Sequence, residues 1–367
     1  MSLPGHRLAA TCGALTLAAA CGASMLPRAP WLENPTPEGV TVRWQTRKAC
    51  EGRVALVAPD GRETVALEDG ARSLHRVELG GLAAATRYRF EAQSCGEGSL
   101  VGDFVTAPAA ATPFRFAVWG DSQSHPEVFG WIASHLALSG AALALAAGDL
   151  VGDGDDEGAW VREFFLPAGA FTPRIPILVA RGNHDVGGYE SRFAGPLTFF
   201  ALGYAGVRFV VLDTNLGMEP GSAQRSWLEA ELGSTPWRQA RWRVVLMHHP
   251  LWSEGSDHEG YDGEPRLREA LGPLLPQAGT DLVLQGHTHD YERGEVDGVL
   301  HVITGGGGGA LDRHWQDLAQ ITVRHVRHHF LTVDVEHDRL TLQARDAFTG
   351  EPFDEVQRAW RPASRAP

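Results

Sequence analysis

IPILVARGNHD, residues 175–185, is an apolar run of strand length that stops at a glycine followed by three polar residues. A run this short reads as a buried strand, and the GNHD after it as the loop at the strand's carboxyl end. Four other stretches have the same grammar: FRFAVWGDSQ (114–123), AALALAAGD (141–149), WRVVLMHHP (242–250) and DLVLQGH (281–287). Helical patterns lie between them, at 127–138 and at Ala223–Leu232, with Ser222 placed to cap the second. Strands alternating with helices predict an α/β domain from Phe114 onward, and in open α/β folds ligands gather where strands end.

The five loops carry the polar residues that matter. They supply Asp121 and Gln123, then Asp149, then Asn183, His184 and Asp185, then His248, and finally His287 and His289. Imidazoles mixed with carboxylate and amide oxygens suit Zn²⁺, Mn²⁺ or Fe better than Ca²⁺ or Mg²⁺ alone, and one carboxylate, Asp149, can bridge two cations. Two cations so bridged can polarise a phosphoryl group, generate a bridging hydroxide and clamp attacking and leaving oxygens in line. That chemistry predicts phosphoester hydrolysis.

Composition narrows the partners. The chain has 367 residues, 43% hydrophobic and 21% charged, an ordinary globular mixture. Its net charge is 32 − 45 = −13, so it offers no broad cationic surface for duplex nucleic acid or for anionic lipid. The expected partner is a small phosphorylated substrate. His6 and Arg7 precede a 13-residue apolar run ending in small residues and Cys21, too short to span a bilayer and suited to a signal peptide. Residues 1–21 are therefore expected to direct export to the periplasm, cell surface or medium. LAAACG (17–22) resembles a bacterial lipoprotein box, which makes Cys21 a candidate lipid anchor and the only expected link to a membrane. Cys50 and Cys95 remain after cleavage, with no CxxC pair, and are expected to close a disulfide worth roughly 4 kcal/mol on the chain-entropy model.

Residues 30–107 read as all-β. Alternating segments such as GVTVRWQ (39–45) and RVALV (53–57) are separated by turns such as Pro59-Asp60-Gly61, which suggests a sandwich of about seven strands. Trp44 on an inner strand, with Leu82 and Tyr88 in GLAAATRYRF, resembles the corner of a fibronectin type III module. APAAATP (107–113) then reads as a linker into a second domain spanning residues 112–362.

The series GD, GD, GNHD, MHHP and GHTHDYER resembles the calcineurin-like metallophosphoesterase superfamily, and the YER and the β module in front are most similar to its purple acid phosphatase branch. The resemblance implies an N-terminal Ig/fibronectin III-like sandwich followed by an α/β four-layer (αββα) metallophosphoesterase domain. It implies that Asp121, Asp149 and His289 hold one metal, Asp149 bridging to a second held by Asn183, His248 and His287. One position departs from the purple branch: Gly152 stands where that branch has its metal-binding tyrosine, so the iron–tyrosinate colour is expected to be absent. Gln123 stands where many relatives have a histidine ligand, and as a weak amide donor it favours an exchangeable divalent pair over ferric iron.

Three further residues are assigned roles. In GNHD the Asp185 carboxylate is expected to orient His184 and keep it cationic beside the phosphoryl oxygens. His258, in SEGSDHEGYDGE (253–264), resembles the histidine of the branch's substrate loop, which protonates the leaving oxygen. His249, next to His248 on a strand end, is expected to be structural. The glycines at 305–309 fit a dinucleotide-binding spacing without the βαβ unit it requires, and read instead as a turn close to the site. A phosphodiesterase acting on nucleotides or lipid headgroups shares the same metal residues, and a cell-surface binding protein with a degenerate α/β scaffold is the alternative outside catalysis.

Overall fold

A computed structural model describes residues 29–96, 98–193 and 198–360. The signal segment and Cys21 lie outside the described residues.

The first seven strands form two antiparallel sheets. They are β1 (Trp31–Thr36), β2 (Gly39–Cys50), β3 (Gly52–Val57), β4 (Glu63–Leu67), β5 (Arg72–Leu79), β6 (Arg87–Ser94) and β7 (Ser99–Val105), ordered β1-β2-β5 and β4-β3-β6-β7. Alternation along each strand fixes which side is buried, and Leu32, Val42, Val54, Val77, Phe90 and Phe104 meet between the sheets. Trp44 is buried there, stacked on His75 with ring centres 4.6 Å apart and donating to Ser94 Oγ. The Tyr88 hydroxyl accepts the backbone N–H of Ala83 at 2.9 Å, closing the corner that the sequence outlines. Cys50, ending β2, is disulfide-bonded to Cys95 just past β6.

The α/β domain follows. Its strands are β8 (Phe114–Trp119), β9 (Leu143–Ala146), β10 (Ile177–Val179), β11 (Phe200–Tyr204), β12 (Val207–Val211), β13 (Trp242–Leu246), β14 (Gly255–Ser256), β15 (Leu282–Gln285), β16 (Tyr291–Val296), β17 (Val299–Thr304), β18 (Arg313–His314), β19 (Val323–His325), β20 (His329–Val335), β21 (Arg339–Asp346) and β22 (Pro352–Ala359). One sheet runs β10-β9-β8-β20-β21-β22 and the other β11-β12-β13-β15-β17-β16-β19, while β14 and β18 pair separately. The sheets face each other across a core containing Phe116, Val118 and Leu145 from one and Phe209, Val244 and Leu284 from the other. On the outer face of the first sheet Trp119 and Ala146 pack against Phe129 and Ile132 of the helix Pro126–Leu138. On the outer face of the second, Val245 and Val283 pack against Leu228 of the helix Ala223–Leu232 and Leu267 of the helix Pro265–Leu271. Four layers result, and strands covered on both faces are the ones that read as continuous apolar runs. Ser222 caps its helix through an Oγ that accepts the N–H of Arg225.

The β-rich region is fastened to this domain. Trp31, fully buried, inserts into the outer helical layer with its ring 4.6 Å from that of Phe165. Arg43, ion-paired with Glu33 at 3.1 Å, also donates to the carbonyl of Ser191, and Thr172 donates to the carbonyl of Pro30.

Candidate metal centre

The five strand-end loops converge on one point. Asp121 and Gln123 follow β8, Asp149 follows β9, Asn183 to Asp185 follow β10, His248 follows β13, and His287 and His289 follow β15. Asp121 and Asp149 are buried at 0% and 1% exposure, where an unpartnered carboxylate is costly. Asp121 (φ 57°), Asp149 (φ 51°) and His287 (φ 73°) all adopt left-handed backbone, a strain of about 1–3 kcal/mol each that the surrounding sheets must hold in place. The glycines of the motifs allow the close approach. A Cβ on Gly182 would fall 2.0 Å from Asp149 Oδ1, and one on Gly286 would fall 2.5 Å from Asp121 Oδ2.

Carbonyl groups set the histidine tautomers. His248 Nδ1 donates to the Ala147 carbonyl at 2.8 Å, which turns Nε2 toward Asn183 Oδ1 at 3.0 Å and Asp149 Oδ2 at 3.4 Å. His289 Nδ1 donates to the Ala310 carbonyl at 2.7 Å, and its Nε2 lies 3.7 Å from Asp121 Oδ1. His287 presents Nδ1 to Asn183 Oδ1 at 3.0 Å, while its backbone N–H lies 3.0 Å from both oxygens of Asp121. Nitrogen and oxygen donors thus face the same space, as in metal sites whose histidines are oriented by their second nitrogen. Ligand atoms from Asp121, Asp149 and His248 lie within 4.8 Å of one another, as do those from His248, His249 and His287. Gln123 is buried with its amide nitrogen 3.4 Å from Asp149 Oδ2, and its Oε1 has no hydrogen-bond partner among the described residues.

Charges in this space are strongly perturbed. Burial pushes Asp121 well above the usual carboxylate range, although the charge of His248 opposes it. Burial acts on Asp149 in the same sense, but the charge and hydrogen bond of His248 outweigh it and hold that carboxyl low. His248 in turn is raised to about 10 by Asp149 against its own desolvation, whereas burial and the charge of His248 depress His287 to about 3.

Asp185 does not orient His184. Its oxygens accept the backbone N–H groups of Leu150 at 2.8 Å and Gly182 at 2.9 Å, so the carboxylate ties the GNHD turn to the loop after β9. The adjacent imidazole points the other way, and its Nδ1 donates to the Gly152 carbonyl at 2.9 Å. Gly152 thus contributes a carbonyl to the site. His258 lies on the rim, its Nδ1 paired with Asp257, and it lines a cleft of about 560 Å³ together with Asp149, His184, His287 and His289. His249 packs on His287 with ring centres 4.6 Å apart, but its Nδ1 is engaged by Thr214 Oγ1 at 2.7 Å.

Some contributors are not apparent in the sequence motifs. Asp312 Oδ2 accepts the backbone N–H of His289 at 2.7 Å. Glu292, the glutamate of YER, accepts from Ser253 Oγ and from the N–H groups of Glu254 and Gly255, and so holds the start of the segment that bears His258. The expected glycine turn does lie at the site, with the N–H of Gly307 on the Gly120 carbonyl and that of Gly309 on the Asp121 carbonyl.

The sequence profile described as calcineurin-like phosphoesterase matches residues 114–291, the span that contains all five loops. The chain carries a calcineurin-like phosphoesterase domain. Among curated relatives, purple acid phosphatase 22 of Arabidopsis thaliana is 29% identical over 262 residues, covering 64% of this chain and 58% of the relative. Purple acid phosphatase 15 of the same plant is 28% identical over 290 residues, covering 64% and 53%. The matched part of the chain thus spans between half and three fifths of these relatives' length. Among solved structures, purple acid phosphatase PPD1 from yellow lupin (Lupinus luteus) seeds superposes with a TM-score of 0.80 at 19% identity, covering 90% of this chain and 74% of that one. The structure of PhoD gives a TM-score of 0.70 at 15% identity, with coverages of 93% and 90%. Both likenesses show that the β-rich region and the phosphoesterase domain follow one another as in those folds.

Proposed function

We propose that this chain is an exported phosphoester hydrolase that works with a pair of divalent cations and acts foremost on phosphomonoesters. The observation that carries the reading is the convergence of Asp121, Asp149, Asn183, His248, His287 and His289 from separate strand ends, their nitrogen and oxygen atoms facing one space. The acid phosphatases among the relatives support the monoester preference.

The residues fit a metal pair. Gln123 Oε1 is a buried acceptor without a partner, two carboxylates are buried beside it, and the mixed nitrogen and oxygen set suits Zn²⁺, Mn²⁺ or Fe²⁺. Asp121, Gln123 and His289 would hold one ion, Asn183, His248 and His287 the other, with Asp149 between them. Such a pair supplies Lewis acidity and an activated water. The protein does the rest. Asp185 fixes the turn that presents Asn183 and His184, and the Gly152 carbonyl accepts from His184 Nδ1 and so orients the ring, whose Nε2 would donate to a phosphoryl oxygen as the imidazolium. His258, with Asp257 on its Nδ1, stands on the cleft rim to protonate the departing alcohol. Export rests on the signal-like segment at residues 1–21, with Cys21 as the site of a lipid anchor.

The test uses protein stripped of metal and reloaded separately with Mn²⁺, Zn²⁺, Fe²⁺ or Mg²⁺, assayed with 4-nitrophenyl phosphate and bis-4-nitrophenyl phosphate. Metal-dependent turnover favouring the monoester is expected. A diester preference would move the activity to phosphodiester hydrolysis, and absence of turnover with every metal would refute the reading.

A further inference from the structure

The cleft above the site has unlike walls. Its floor carries the metal-facing residues, while Tyr261, Ala310 and Leu311 form an apolar side on which Leu311 is 36% exposed. Arg313 also lines the cleft, the only arginine or lysine to do so among the described residues. Its backbone position is fixed from both sides. Asp312 and Ala310 accept from the backbone and ring of His289, and β18 pairs Arg313 with Ser256, two residues before His258. The next residue, His314, turns to Glu254 and Asp317, so strand alternation gives Arg313 the opposite face, toward the cleft.

Its guanidinium is uncommitted. Arg181, Arg192, Arg208, Arg293 and Arg324 are each paired with a carboxylate, whereas Arg313 makes no ion pair or side-chain hydrogen bond among the described residues. A guanidinium without a carboxylate partner, lining the same cleft as His184, His289, Tyr261 and Leu311, is suited to an oxyanion on a part of the substrate other than the scissile phosphoryl group.

We propose that Arg313 is a specificity-determining residue that binds a second anionic group on the leaving part of the substrate. The preferred phosphoester then carries a carboxylate or a further phosphate beyond the scissile bond, with the spacer lying along Leu311 and Tyr261. This rests on the phosphoester-hydrolase reading above and names the substrate class of the same site.

The matched probes are phenyl phosphate and 4-carboxyphenyl phosphate, which differ by one anionic group that barely alters the phenol as a leaving group. The full-length metal-loaded protein is expected to prefer the carboxylated ester in kcat/KM by about tenfold. That ratio should fall to about one in Arg313→Ala and recover in part in Arg313→Lys. Equal use of the two esters by the wild type, or a preference that persists in Arg313→Ala, would overturn the assignment. Calorimetric binding of benzylphosphonate and 4-carboxybenzylphosphonate to the Mn²⁺-loaded protein reads the same contact without turnover. If neither ester is hydrolysed, the hydrolase reading fails; an Arg313-dependent preference between the phosphonates then still supports the second-anion site, and its absence overturns it.

Discussion

Replacing Glu292 by alanine should unfasten the His258 segment while leaving the metal-facing residues in place. The Glu292 side chain is fully buried, and its Oε1 accepts from Ser253 Oγ at 3.1 Å, from the N–H of Glu254 at 2.9 Å and from that of Gly255 at 2.8 Å. Truncation leaves the buried Glu254 N–H without its acceptor and the Gly255 N–H with only Ser253 Oγ at 3.3 Å, while the Ser253 hydroxyl keeps the Gly255 carbonyl; the loss is about 1–3 kcal/mol for each backbone donor when counted singly and less than additive together. A net local loss of about 3 kcal/mol shifts the open-to-closed ratio of the loop by about a hundredfold, and kcat/KM should fall by up to that factor. If His258 is the general acid, as proposed, the loss should be larger for esters of poorly leaving alcohols, which depend most on a proton donor. Glu292→Gln is the control. Its amide oxygen can replace Oε1, while its NH₂ can donate to the neighbouring Asp290, whose buried Oδ1 has no hydrogen-bond partner among the described residues. Hydrogen exchange at the amides of Glu254 and Gly255 reports the loop directly. Retained protection in Glu292→Ala with kcat/KM within threefold of wild type would refute the reasoning, as would an equal defect in the glutamine variant.

Gln123→His should tighten metal binding at the Asp121 side, because imidazole is the stronger donor; unchanged affinity in a chelator competition would show that the Gln123 side chain points elsewhere. Trp31→Ala should destabilise the protein by about 3–5 kcal/mol, since it empties the contact between the β-rich region and Phe165, and chemical denaturation should show this as a lower midpoint. His301 is buried and its desolvation depresses it to about 3, so it contributes stability above its unfolded value near 6.5 that is lost as pH falls toward 3. Between pH 6.5 and pH 5 that loss is about 2 kcal/mol, and His301→Leu should flatten this part of the stability curve; an unchanged slope would exclude His301 as the cause.

The fold was legible because each central strand is buried on both faces, which forces an unbroken apolar run, and because each run ends where a polar side chain is needed. IPILV before RGNHD and DLVLQ before GHTH are of this kind. The site's outer layer was not legible, because its partners meet only through pairing of distant strands. Nothing near Glu292 in sequence indicates Ser253 or Gly255, and only the β14 to β18 pairing brings Arg313 beside Ser256. The expected contact between Asp185 and His184 failed for a local reason. In that tight turn neighbouring side chains diverge, and two unpaired backbone N–H groups, those of Leu150 and Gly182, claim the carboxylate. Gly152, read as a lost tyrosine, offers its carbonyl to His184, a role that no residue type encodes.

The most direct test of the account is the number of metal ions per chain. Protein dialysed against Mn²⁺ or Zn²⁺ and analysed by inductively coupled plasma mass spectrometry should hold two ions, and Asp149→Asn should hold one or fewer with turnover of 4-nitrophenyl phosphate abolished. Two tightly held ions and near-wild-type turnover in Asp149→Asn would contradict a centre bridged by that carboxylate.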